Sequence, residues 1–107
     1  MFKDIQNELA SLTAESSRGP DHLFNAMTEL ARLEHELDTI EQKAFLDAAG
    51  TVADRQAIAR LAASQARFER DIAKAKLERI KLKVRVLDTN IGALQTQARL
   101  IQAEVKL

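Results

Sequence analysis

Cysteine, tryptophan and tyrosine are all absent from this 107-residue chain, and phenylalanine occurs only four times. Without cysteine there is no disulfide framework, no thiolate nucleophile and no cysteine metal site. Scarce aromatics leave a core of Ala, Leu and Ile, which suits slender helix packing better than a globular centre. A single proline and three glycines supply few turns and argue against a sheet protein. No phosphate loop is present, because Gly19, Gly50 and Gly92 stand alone. Nothing approaches the roughly 20 apolar residues of a membrane span, and the opening MFKDIQNELA lacks the apolar run of a secretory signal. A cytoplasmic location is therefore expected. A chain of this size forms one thin domain at most, burying only about 60 to 65% of the surface its unfolded form exposes.

What is present is helical periodicity. Phe2, Ile5, Leu9 and Leu12 predict a first helix over about 2–15, and SSRGP at 16–20 stops it. Gly19 is free to take positive φ there, and Pro20 suits the first turn of a new helix. Leu23, Met27, Leu30, Leu33, Leu37, Ile40, Ala44 and Ala48 predict a second helix over about 21–48. Gly50 then fits the position after a helix C-terminus, and Thr51-Val52-Ala53-Asp54 reads as a capping box. From Val52 the pattern is helical to about 105.

In that last segment nine apolar residues keep an unbroken three-four spacing: Leu77, Ile80, Val84, Leu87, Ile91, Leu94, Ala98, Ile101 and Val105. This is the pattern of a coiled-coil seam. A helix over 52–105 would extend roughly 80 Å, against about 40 Å for the second. A hairpin of the two leaves about half the long helix unpaired, and partner subunits are expected to cover it. The fold class is thus all-α: an extended helical hairpin with a long coiled-coil-forming C-terminal helix, as a homo-oligomer. Before residue 75 the larger apolar residues are Ile58, Leu61, Phe68 and Ile72, with Gln65 among them, out of step with the later seam. That predicts a rotation of the buried face. Leu82 and Val86 also lie off the seam, so this stretch is expected to touch more than one neighbour.

Net charge is zero, yet it is unevenly divided. Residues 1–48 carry four basic and ten acidic side chains, and residues 67–86 carry eight basic and three acidic. Either the acidic arm packs against the basic helix, or the basic segment meets an anionic partner. The candidates for phosphate contact are Arg67, Arg70, Lys74, Lys76, Arg79, Lys81, Lys83 and Arg85. The structural alternative is that their stems cover the seam's edges while their charges meet Glu or Asp. Base stacking is poorly supplied, so nucleic-acid binding would be independent of sequence and weakened by salt. With no Trp anchors, a membrane surface is not an expected partner.

Catalytic candidates are weak. His22 and His35 are the only imidazoles, and His35 stands between Glu34 and Glu36, whose side chains point apart on a helix. A metal needs several converging ligands. Glu34 with Asp38, and Glu8 with Glu15, lack a cleft that would separate their proton affinities. No enzymatic activity, metal or cofactor is expected.

Residues 30–94 resemble small helical bacteriophage proteins similar to phage recombination mediators. The motifs that carry the resemblance are KAFLDAAG at 43–50, TVADR at 51–55 and RVLDTNI at 85–91. The matching residues are Lys43, Ala44, Ala48, Gly50, Thr51, Val52, Asp54, Arg55, Arg85 and Leu87. Aromatic residues of the turn are reduced here to Phe45. The resemblance implies an oligomer that binds single-stranded DNA and helps load a recombinase onto strands covered by single-strand-binding protein. DNA recombination in the host cytoplasm is its implied setting. The acidic arm around Glu29, Glu34, Glu36 and Asp38 would recruit the protein partner. The alternative is a coiled-coil structural or adaptor protein that docks other proteins without touching nucleic acid.

Overall fold

The computed structural model describes residues 1–106 and the side chains of 1–105. Four helices follow one another: α1 (Phe2–Ser16), α2 (Gly19–Asp47), α3 (Val52–Ala62) and α4 (Ser64–Lys106). No strand occurs among the described residues. The chain divides into two compact units, residues 24–78 and residues 1–23 with 79 onward.

In the 24–78 unit, α2 packs against α3 and the start of α4. Leu33, Leu37, Ala59, Ala63, Ala73 and Leu77 form its buried core. The turn between α2 and α3 follows from its residues. Gly50 takes φ 113°, a conformation that costs glycine little and other residues more. Thr51 Oγ1 accepts from the Asp54 amide at 3.2 Å, and the Asp54 carboxylate accepts from the Thr51 amide at 3.3 Å. Two orphan donors of the helix start are thereby satisfied.

Three expectations are corrected here. The helix expected over 52–105 is divided at Ala63, which has φ −92° and ψ 3°. Its amide still donates to Ala59 O at 3.1 Å and its carbonyl accepts from the Arg67 amide at 2.9 Å, so the ladder continues through the bend. Second, the buried face does not rotate. Ala59, Ala63, Ala66, Arg70 and Ala73 are buried or half-buried and extend the Leu77 seam backward on the same three-four spacing. Ile58, Leu61, Phe68 and Ile72 instead face solvent at 48, 77, 59 and 40% exposure. The reason is distance: small side chains at a contact let helix axes approach closely, so alanines take the inside and larger residues are turned out. Third, Met27 is exposed while Ala26 is half-buried in its place.

In the other unit, α1 runs antiparallel to the second part of α4. Phe2 lines a shallow pocket with Ile101 and Val105, whereas Ser16 Oγ lies 3.4 Å from an Asp88 carboxylate oxygen. Phe2, Ile5, Leu9 and Leu12 are half-buried, as are Ile80, Val84, Ile91, Leu94, Ala98 and Ile101, and Leu87 is buried. The half of the long helix expected to lie bare is therefore covered by the chain's own α1. Gly19 does not take positive φ. It is buried, and a Cβ there would stand 3.1 Å from Val84 Cγ2, so its missing side chain permits close approach.

Candidate nucleic-acid interface

The 24–78 unit contains an open cleft of about 660 Å³ between the end of α2 and the α3–α4 junction. Its walls include Glu41, Gln42 and Phe45 from α2, and Arg60, Arg67 and Arg70 from α3 and α4. The spacing explains the convergence. Arg60 and Arg67 are seven residues apart, two helical turns, and Arg70 lies one turn beyond Arg67 on nearly the same side. Lys74 is a further turn along and exposed.

The electrostatics are those of a cationic groove with one internal counter-charge. Arg67 reaches Glu41 Oε2 at 3.5 Å and the Arg60 carbonyl at 3.4 Å. Arg70 Nε donates to Asp71 Oδ1 at 2.7 Å. These pairs are partly solvated, so each holds its partner by about 1 kcal/mol or less and yields to a competing anion. Phe45 is half-buried along the cleft. The Arg55 guanidinium lies over its ring at 4.4 Å from the centroid. Arginine forks suit phosphate oxygens, and the Gln42 and Gln56 amides offer both donors and acceptors.

The eight basic candidates for phosphate contact, five expected in one strip and Lys76, Arg79 and Lys83 expected to widen it, do not all share one side of α4. Arg67, Arg70, Lys74, Lys81 and Arg85 fall within one arc, while Lys76, Arg79 and Lys83 point to the other side at helical spacing. The last three therefore do not widen the strip. Lys83 Nζ is 3.6 Å from Glu15 Oε1 on α1. Lys76 helps hold the Glu29 carboxyl below its ordinary range, after the dominant hydrogen bond from Arg32. This second flank meets acidic side chains of the same chain. Sequence reasoning missed Arg60, whose signal was available: Arg60, Arg67, Lys74 and Lys81 recur every seven residues.

Of the nine expected seam residues, Leu77 and Leu87 are buried, Ile80, Val84, Ile91, Leu94, Ala98 and Ile101 are half-buried, and Val105 is exposed. That burial comes from the chain's own helices. The acidic residues Glu29, Glu34, Glu36 and Asp38 are exposed on α2, with Arg32 bonded to Glu29 at 2.7 Å and to Glu36 at 3.2 Å. His22 and His35 are exposed, and no cluster of metal-ligating side chains occurs among the described residues. No described helix is long and apolar enough to cross a membrane. Comparison with protein families, curated proteins and solved structures finds no match.

Proposed function

We propose that this chain is a non-enzymatic, phage-type recombination mediator: an oligomer that holds single-stranded DNA without sequence preference and helps load a recombinase. The observation that carries the reading is the convergence of Arg60, Arg67 and Arg70 on one cleft, with Lys74 a turn away. Phosphates would replace Glu41 and Asp71 as partners of the arginines, and Phe45 would offer an apolar edge to a base. Lys81 and Arg85 share the same side of α4 and would extend the path. The resemblance of residues 30–94 to phage mediators supports the same reading. Exposed Glu29, Glu34, Glu36 and Asp38 on α2 would meet a recombinase or displaced single-strand-binding protein.

The test is an anisotropy titration of a labelled single strand. Binding is expected at micromolar protein in about 50 mM salt, weakening roughly tenfold or more by about 200 mM. No binding at the lower salt rejects the DNA role. One observation favours the second reading, a coiled-coil adaptor that assembles and docks proteins alone. The outward side chains Leu61, Phe68, Leu82 and Leu100 are 77, 59, 56 and 62% exposed. An adaptor would retain no DNA yet remain associated.

A further inference from the structure

The residues turned out of the core make a second stripe. Ile58, Leu61, Phe68, Ile72, Leu82, Val86 and Leu100 are all at least 40% exposed. In the sequence they fall on one three-four repeat, with Ile58, Ile72, Val86 and Leu100 at a positions and Leu61, Phe68 and Leu82 at d positions. Gln65, Ala75, Arg79, Thr89, Ala93 and Thr96 complete the repeat. On α4 this stripe lies on nearly the opposite side from the buried seam.

We infer that a second copy of this chain covers the stripe, its α4 parallel and in register. The argument is charge complementarity. The flanking g positions are Asp71, Glu78, Arg85 and Arg99, and the charged e positions are Glu69, Lys76, Lys83 and Glu104, all exposed. In a parallel pair the g residue of one heptad meets the e residue of the next on the partner, and such pairs set orientation. Asp71 then faces Lys76, Glu78 faces Lys83, and Arg99 faces Glu104, while Arg85 faces the neutral Asn90. No like charges meet at these flanks.

Antiparallel pairing opposes g to g and e to e. One register sets Lys76 against itself and Glu78 against itself. Sliding by a heptad brings Lys76 against Lys83, and sliding again brings both Lys83 and Arg85 against themselves. Asp71, Lys76, Glu78 and Lys83 all have neighbours in their own chain, but Arg70–Asp71 and Glu15–Lys83, with Asp71 and Lys83 at 61 and 68% side-chain exposure, are weak surface pairs that yield to pairing across an interface. β-branched residues at a with leucine at d favour two strands. Gln65 and Arg79 at a each meet their own copy, and the single like-charge Arg79 layer costs stability, against three attractive flank pairs on each side of the dimer. This inference is independent of DNA binding.

The absence of cysteine makes the test clean. Ile72→Cys and Val86→Cys are introduced singly and exposed to a mild oxidant, with Gln95→Cys, off the stripe, as control. Both stripe variants are expected to form disulfide-linked dimers and the control to stay single. An antiparallel pair brings at most one of the two positions near its own copy. Crosslinking at only one position, or at neither, overturns the inference. Native mass measurement should give two chains, falling to one in Phe68→Lys with helicity retained. A single chain or three chains in the unmodified protein also overturns it.

Discussion

Arg55 clasps Phe45 twice: its guanidinium lies 4.4 Å from the ring centroid, and its Nε donates to the Phe45 carbonyl at 3.1 Å. The first turn of α3 is thereby tied to the last turn of α2, across the bend at Gly50. One side chain satisfies an orphan carbonyl of the helix end and covers an aromatic face.

Arg55→Ala is expected to lower stability by about 1–2 kcal/mol, since a charged hydrogen bond and a cation–π contact are lost together. Arg55→Lys should recover less than half, because lysine lacks the planar fork. Urea unfolding of the three proteins measures this. An unchanged midpoint in Arg55→Ala would show the clasp to be incidental.

The two exposed glycines should respond with opposite sign. Gly50→Ala forces a Cβ into positive φ, 3.0 Å from Asp54 Oδ2, and is expected to cost about 1–2 kcal/mol. Gly92 lies within α4 with nothing within 4 Å of its Cβ position, so Gly92→Ala should gain up to about 1 kcal/mol. Thermal melts with the same sign for both would contradict this account of the turn.

Alanine rather than leucine governs the inside of α3 and the start of α4. Ala63→Leu, at a fully buried site, is expected to cost about 1–3 kcal/mol by overpacking. Leu61→Ala, at 77% exposure, should leave the stability of the single chain within about 0.5 kcal/mol. Denaturant midpoints, taken where the protein is monomeric, compare the two.

The cleft arginines should separate DNA affinity from folding. Arg60→Ala removes an exposed cleft guanidinium, so binding should weaken several-fold with the melting temperature little changed. Its salt slope should also fall by about one counterion. Lys76→Ala, on the opposite flank, should weaken DNA binding less. Equal losses for both variants would remove the cleft from the proposal.

Glu29 gives the pH prediction. The hydrogen bond from Arg32 lowers its carboxyl pKa, with the neighbouring charges of Arg32 and Lys76 adding to the effect. Its contribution to stability is present above the unfolded carboxylate pKa and is lost as pH falls through the lower folded value. Carboxyl NMR titration should show Glu29 protonating at lower pH than in the Arg32→Gln variant. An unchanged titration would mean that the pair does not persist in water.

Much of the fold was legible because it is local. The helices begin and end within a few residues of the positions that caps, turns and periodicity indicate, apart from the division at Ala63. The Thr51–Asp54 box and the positive φ of Gly50 follow from side chains a few residues apart. What periodicity could not rank was two competing stripes on one helix. Ile58, Leu61, Phe68 and Ile72 carry more apolar area than Ala59, Ala63, Ala66 and Ala73, so hydrophobicity alone selects the wrong face. The candidate cleft was half-legible for the same reason: Arg67, Arg70 and Lys74 stand out as charges, whereas the position of Glu41 and Phe45 opposite them depends on how α2 folds back.

By itself the sequence determined an all-helical chain, the place of its main turn, and a long apolar repeat beside concentrated basic charge. These depend on backbone geometry and neighbours within two helical turns, which any helix imposes. Tertiary structure alone decided that alanines form the inner contact around the α3–α4 junction, and that α1 covers the far part of the seam. Those outcomes depend on how closely two helix axes can approach, a distance that no single helix's periodicity contains.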